Sequence, residues 1–260
     1  MTNDIRILYE DQDILVCHKS AGMATEGATA GRMDLISQAS NYLSRKERMD
    51  NTTGRRKNLP PYVATVNRLD APVEGVLVLA KKKSAASDLS KQIKEKRTNK
   101  YYYALCYGNP DDDKGHFTDN LIRRADNGLA MAVTDEEAAS ASNGIVTLLS
   151  GEKVGYISGD VKKAELEYEV VKRSEGISLL RIHLLTGRFH QIRVQLSKRG
   201  FPILGDEKYG SDESLECAKE RGIKELCLVS YSFSFIHPGT KKKVVYEIEP
   251  DNRYIKELLG

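Results

Sequence analysis

Two short segments concentrate the residue types that chemistry needs. The first is Asn67-Arg68-Leu69-Asp70-Ala71-Pro72-Val73-Glu74-Gly75, in which Asp70 follows an apolar run and precedes Pro72 and Gly75. That context places its carboxylate in a tight loop at a strand end, a common position for a reacting group on a rigid scaffold. A carboxylate there can act as nucleophile or general base. It fits a turn former or a helix cap too, and taken alone the plainer role is favoured. The second segment, Thr186-Gly187-Arg188-Phe189-His190-Gln191-Ile192-Arg193-Val194-Gln195-Leu196, presents two arginines, a histidine and two glutamines in one loop-to-helix passage. Ile192 and Leu196 can anchor the helix while Arg188 and Arg193 bind anions. An ordinary amphipathic helix after a glycine turn has the same pattern. Asp70 and Glu74 also make a carboxylate pair of the kind used in glycoside cleavage. That reading leaves Arg188, His190, Arg193 and the basic surface without a role.

The elements that must position these residues are readable in outline. Ile5–Tyr9 and Ile14–Cys17 are strand-like, and Met33–Arg48 has helical apolar spacing at Leu35, Ile36, Ala39, Tyr42 and Leu43. Residues 51–58 form a polar, basic loop. Tyr62–Val66 and Val76–Ala80 read as buried strands on either side of the Asp70 segment. Ser84 is a good N-cap for a helix through Lys96, with Ala85, Leu89 and Ile93 facing the core. Lys100–Tyr107 is an aromatic strand ended by Gly108-Asn109-Pro110. Residues 111–162 are the least readable, with strands at Leu129–Val133 and Ile145–Leu149. Leu166–Val171 and Ile177–Leu185 form a hairpin around Ser174-Glu175-Gly176. His190–Lys198 is a short helix with Gly200 as its C-cap. Cys227–Ile236 and Val244–Ile248 flank His237-Pro238-Gly239-Thr240 as a second hairpin, and Asn252–Leu259 is a last helix. Strands outnumber helices and often follow one another directly. The expected fold is therefore a single α+β domain over residues 1–260, with a largely antiparallel mixed sheet flanked by helices.

Composition narrows the partners. The chain of 260 residues is 40% hydrophobic and 30% charged, as a globular protein is. It has no apolar run long enough to span a bilayer and no secretory signal pattern, so the expectation is a cytoplasmic protein without a membrane partner. Cys17, Cys106, Cys217 and Cys227 are scattered without metal-ligand spacing, which argues against a disulfide framework or a zinc site. The net charge is only +3, but its distribution is uneven. Lys81, Lys82, Lys83, Lys91, Lys94, Lys96, Arg97 and Lys100 stand against Asp88 and Glu95, and a second cluster holds Arg45, Lys46, Arg48, Arg55, Arg56 and Lys57. Such clusters can bind phosphates; a solvated lysine-rich helix has the same composition.

Taken together, the motifs resemble the RluA-type RNA pseudouridine synthases over nearly the whole chain and in sequence order. Ile7–Val16 followed by Lys19-Ser20-Ala21-Gly22 is similar to that family's first hairpin. Arg68-Leu69-Asp70, with Gly75 and Ala80-Lys81 downstream, resembles its catalytic segment. Lys100, Tyr102, Ala104 and Gly108 fit its K-x-Y-x-A-x-x-x-G strand. Thr186-Gly187-Arg188, His190-Gln191-Ile192-Arg193, Gly205-Asp206 and Tyr209-Gly210 fit its most distinctive stretch, and Leu226-Cys227-Leu228 and His237-Pro238 complete the match.

The resemblance implies an isomerase that converts uridines of structured RNA, ribosomal or transfer, to pseudouridine without metal or other cofactor. Asp70 would attack the ribose or assist its deprotonation while the uracil leaves through nitrogen, rotates and rejoins through carbon. Tyr102 would pack on the uracil, Arg193 would pair with Asp70, and Arg68 would fill the gap left by the flipped nucleotide. Lys100, Arg188, His190 and Gln191 would be further substrate contacts. The resemblance covers the catalytic domain alone, with no separate RNA-binding module in front, and a monomer is the default. Five positions depart from the family pattern. Asn67 stands for a histidine, Val73-Glu74 for Thr-Ser, Phe189 for a threonine, and Gln195 where a histidine is common. A non-catalytic RNA-binding or RNA-folding protein on the same scaffold is the competing reading.

Overall fold

The computed structural model describes residues 5–28, 31–50, 60–157 and 161–260. In chain order its elements are β1 (Arg6–Glu10), β2 (Ile14–Lys19), α1 (Leu35–Asp50), β3 (Ala64–Thr65), β4 (Glu74–Ala80), α2 (Lys83–Lys94), β5 (Asn99–Tyr107) and β6 (Lys114–Arg123). There follow β7 (Ala130–Val133), α3 (Asp135–Ala139), β8 (Ile145–Thr147), β9 (Lys153–Gly155), β10 (Lys162–Ser174), β11 (Ile177–Leu184) and α4 (Gln191–Lys198). Last come α5 (Asp212–Glu220), β12 (Leu228–Ile236), β13 (Lys243–Glu247) and α6 (Arg253–Leu259). The fold is α+β, with mostly antiparallel strand pairing and flanking helices, as expected. Its chain divides into two compact units: Met1–Lys100 with Val229–Asp251, and Tyr101–Leu228 with Asn252–Gly260.

In the first unit the strands run β1-β2-β4-β12, with β3 on β4 and β13 on β12. Every residue of β2 and β4 is buried, the signature of strands covered on both faces. Ile14, Val16, Val76 and Val78 pack with Leu89 of α2 and with Phe233 and Phe235 of β12. The parallel pair β4–β12 brings Ser230 opposite Gly75. A Cβ on Gly75 would lie 2.5 Å from both Cβ and the carbonyl oxygen of Ser230, and its φ is +155°. Glycine is required there by close backbone approach. The helix after β4 starts earlier than expected: its N-cap is Lys82 in extended conformation, without a side-chain cap. Ser84 therefore lies in the first turn. The start is set instead by tertiary bonds, Lys81 N–H to Asp13 O at 2.8 Å and Lys82 Nζ to the Asp13 carboxylate at 2.9 Å.

Glu10 ties three elements of this unit together. It accepts from Tyr42 (2.9 Å) and Lys46 (2.8 Å) of α1 and from Lys81 (2.6 Å) beyond β4. Burial alone would raise its pKa, but these bonds hold it down at about 2. A carboxyl depressed in the fold adds stability above its unfolded pKa of about 4.5 and loses it as pH falls toward 2. The contribution at neutral pH is at most about 3 kcal/mol, reduced by screening at the half-exposed Lys46. Glu10→Gln is expected to lower the urea midpoint at pH 7. The gap to the unmodified protein should close as pH falls from 4.5 to 2, and a gap independent of pH would refute the assignment.

In the second unit the order is β5-β11-β10-β6-β7, all antiparallel, with β8–β9 as a separate pair. The β10–β11 hairpin turns at Glu175 and Gly176, both at positive φ, as a tight two-residue loop demands. Four elements, β6, α3, β9 and α5, lie outside the pattern that the sequence displays. In β6 the polar run His116, Thr118, Asp119 and Asn120 obscures the alternation. Asp119 points inward and is held by Gln195 (2.8 Å), Lys198 (2.9 Å) and Arg199 (2.7 Å). Burial would raise its pKa, and these donors keep it below the usual carboxylate range. α5 buries only Ser214 and Ala218 and so shows almost no apolar stripe.

Candidate active site

The Asp70 loop belongs to the first unit. It begins where β3 stops pairing: Val66 N–H still bonds Val78 O at 3.0 Å. The Asn67 side chain then takes over the ladder, donating to Val76 O (3.1 Å) and accepting from Val78 N–H (2.8 Å). The expected strand Tyr62–Val66 is thus shortened to Ala64–Thr65, and a side-chain amide replaces the missing backbone pairs. Asn67 is in this way absorbed as a structural residue. Its bonds release the backbone to turn outward through Arg68.

Leu69 is buried, Asp70 half-buried, and Arg68, Ala71 and Pro72 exposed. The Thr25 hydroxyl donates to Leu69 O (2.8 Å) and accepts from Leu69 N–H (3.3 Å). Val73 N–H closes a turn on Asp70 O at 3.0 Å, and Gly22 N–H bonds Ala71 O at 2.8 Å. Beneath the loop lies Lys19, fully buried. Its ammonium donates to Ser20 O (3.2 Å), Met23 O (2.7 Å) and Ala71 O (3.0 Å), one bond for each of its protons. Burial pushes its pKa down to about 8, opposed by the negative charges of Asp70 and Glu74. A loop pinned on both sides of Asp70 holds the carboxylate with little freedom to lose on binding. Arg68 is exposed and lies 3.3 Å from Glu26. Lys100, at the end of this unit, is half-buried on β5.

Glu74 is no second catalytic carboxylate. It is buried, accepts from His18 Nε2 at 2.8 Å and takes the Asp251 N–H at 2.7 Å. His18, Glu74 and Asp251 form one of two clusters with metal-ligand spacing among the described residues; the other is Asp11, Asp13 and His237. In the second, His237 Nδ1 accepts from Gly239 and Thr240 N–H, both at 3.1 Å, and its Nε2 lies 3.0 Å from the Asp11 carboxylate without hydrogen-bond alignment. Asp13 is paired with Lys82, and in the first cluster Asp251 is paired with Arg6. In both clusters the carboxylates are engaged by protein donors, which is the chemistry of ion-pair networks.

The remaining site residues lie in the second unit. Tyr102 is buried on β5, opposite Ile182. His190 is the N-cap of α4 in left-handed conformation. Its Nδ1 is 2.8 Å from the Tyr209 hydroxyl, which itself accepts from Ala130 N–H at 2.8 Å. Phe189 is exposed, stacked on His190 at 3.7 Å with the Arg123 guanidinium 4.5 Å from its ring centre. Gln191 is buried and locks the turn: its Oε1 accepts from Thr186 (2.8 Å) and Arg188 N–H (3.1 Å), and its Nε2 donates to Glu165 O and Gln195. Gln195 passes the chain on to Asp119, a role its amide fills where a histidine is common. Arg188 is exposed, with Nε on Lys163 O at 2.9 Å.

Arg193 is buried and grips Asp206 through Nε (2.7 Å) and Nη2 (2.6 Å), with its guanidinium 5.1 Å from the Tyr209 ring centre. Asp206 in turn caps Lys208 N–H (3.0 Å) and Tyr209 N–H (3.2 Å). Asp206, Tyr209 and Lys19 stand in the quoted motifs without a role at these sites, and Thr25 is not singled out by the sequence at all. For Lys19 the sequence does hold a signal: a lysine closing a strand that is apolar from Ile14 to Cys17.

This chain belongs to the RNA pseudouridylate synthase family, whose model matches residues 13–198. The match runs through Asp70, Tyr102 and Arg193, and it places the protein among isomerases that convert uridine to pseudouridine in RNA. It is 32% identical to ribosomal large subunit pseudouridine synthase C of Salmonella typhimurium over 95% of this chain and 66% of that protein. The corresponding protein of Haemophilus ducreyi is 29% identical over 98% of this chain and 68% of the relative. The chain thus spans about two thirds of the length of these relatives. Among solved structures, human RNA pseudouridylate synthase domain containing 4 shares the fold with a TM-score of 0.71 at 20% identity, covering 98% of this chain and 92% of that one. No described helix is long and apolar enough to cross a membrane.

Proposed function

We propose that the protein isomerises uridines of large-subunit ribosomal RNA, with Asp70 as the group that opens the reaction. The family match through Arg68-Leu69-Asp70 carries this reading. The pinned loop supports it, because a preorganised carboxylate needs no rearrangement before it acts. Asp70 attacks ribose C1′ or takes a ribose proton as the bond from C1′ to uracil N1 breaks; the rotated base rejoins C1′ through C5, which releases Asp70 or draws its proton back, and C5 then gives up its proton while N1 gains one. Tyr102 packs against the uracil, Arg193 orients Asp70 while anchored on Asp206, and the exposed Arg68 fills the vacated stack. Arg188 and Lys100 contact the RNA backbone. His190 and Gln191 shape the turn that presents Arg188, through the bonds to Tyr209 and to Arg188 N–H. Ribosomal rather than transfer RNA is favoured by what the similar curated proteins are named for. Purified protein incubated with a large-subunit ribosomal RNA transcript should form pseudouridine at one or a few uridines, read by chemical mapping. Formation only on transfer RNA would redirect the substrate, and none on either RNA would overturn the reading.

A further inference from the structure

A groove of about 1080 Å³ opens in the first unit beside the Asp70 loop. Its lining combines the segment Ser20–Ala24, residues of α1 and Ala71, next to Asp70. Lys19 and Gly22 bind the Ser20–Met23 wall directly to Ala71 O. Leu35 N–H to Ala24 O (3.0 Å) and Ile36 N–H to Thr25 O (3.2 Å) stitch the same segment to the start of α1. These bonds tie the Ser20–Thr25 side of the groove to α1 and to Ala71, next to Asp70.

Its lining is cationic and polar. Arg32, Arg45 and Arg48 face it together with Asn41, Ser44 and Gln38. The nearby acids are engaged: Asp34 accepts from Ser37 N–H (2.8 Å) and Ala28 N–H (3.3 Å), and Glu26 is 3.3 Å from Arg68. Among the described residues Arg32 and Arg48 have no carboxylate partner. Gln38 is the second, independent observation. It is only 8% exposed, and its Oε1 has no hydrogen-bond donor among the described residues. A buried carbonyl without a donor is costly and calls for an external N–H.

We infer that this groove holds the RNA strand that flanks the target uridine, with phosphates on Arg32, Arg45 and Arg48 and a base N–H on Gln38 Oε1. The inference rests on the proposed function and deepens it. It also separates the two basic clusters. The α1 cluster lines the groove through Arg45 and Arg48, whereas Lys46 is engaged by Glu10 and Arg97 by Glu95. Arg55, Arg56 and Lys57 lie outside the described residues.

The test uses the full chain, a large-subunit ribosomal RNA transcript for turnover and short single-stranded oligouridylate for binding. The Arg32→Gln/Arg48→Gln double variant should raise KM on the order of tenfold with kcat held, and flatten the log–log salt slope of oligouridylate affinity by about 1.4. Gln38→Leu should weaken binding several-fold while leaving Tm of the free protein unchanged or higher. Unchanged KM and salt slope would overturn the assignment. A fall in kcat at constant KM would move the arginines into the chemistry and overturn it equally. A lower Tm for Gln38→Leu would show that Oε1 has a donor in the free protein and would remove Gln38 from the site. If the unmodified protein forms no pseudouridine, the functional reading fails, and the oligouridylate measurements still decide on the groove.

Discussion

Asp70→Asn protein is expected to form no measurable pseudouridine, a loss on the order of 10⁴-fold or more, while binding RNA within about twofold of the unmodified protein. The amide keeps the size and leaves the loop anchors in place, since Thr25, Lys19, Gly22 and Val73 all bond backbone atoms around Asp70. What it removes is the carboxylate that can attack or take a proton. Single-turnover assay by pseudouridine mapping, beside a filter-binding titration, separates the two effects. Residual turnover well above background would take the reaction away from Asp70. Loss of affinity with turnover per complex intact would favour the non-catalytic RNA-binding reading.

The second large effect belongs to Arg193. Arg193→Met leaves the Asp206 carboxylate buried without its cation and should cost about 3–5 kcal/mol of stability. Asp206 is 1% exposed, so water cannot replace the lost donors. Turnover should fall as well, and the two losses can be divided. Arg193→Met/Asp206→Asn removes the stranded charge, and the introduced amide oxygen can still accept from the backbone N–H groups that Asp206 holds. The double variant should therefore be more stable than Arg193→Met alone, the coupling expected of groups in direct contact. If Arg193 orients Asp70, the stabilised double variant remains inactive. Recovered turnover would confine Arg193 to a structural role in the second unit.

Sequence alone places Asp70 on a loop after a strand, because Pro72 has no N–H to give a sheet ladder and the flanking runs are apolar. It also places the helix that carries Arg193, the hairpin at Glu175-Gly176, and the last helix from Asn252, which the structure shows to be its cap, accepting from Ile255 N–H at 3.1 Å. These features depend on neighbours within a few residues, so periodicity and turn chemistry suffice. The departures from the family pattern needed the structure. Glu74, an extra anion close to Asp70 in sequence, is engaged by His18, 56 positions away. Asn67 replaces ladder bonds that a histidine pattern gives no hint of.

What only the tertiary structure decided is the partner of each buried polar group. Lys19 could have been another solvated lysine; it is the tie that fastens Ala71, 52 residues on. Asp119 hid a whole strand, because an inward aspartate breaks the apolar alternation until Gln195, Lys198 and Arg199 arrive from α4 and its C-terminal end. Lys46 and Lys81 counted toward a phosphate-binding surface by composition, yet both are engaged by Glu10. Charge in sequence is a number, whereas charge available to RNA depends on which carboxylates folding brings within hydrogen-bond reach. Local propensity acts over one or two turns of chain, but burial presses polar atoms to find donors or acceptors wherever the fold supplies them, and Gln38 Oε1 stands out because it has found none among the described residues.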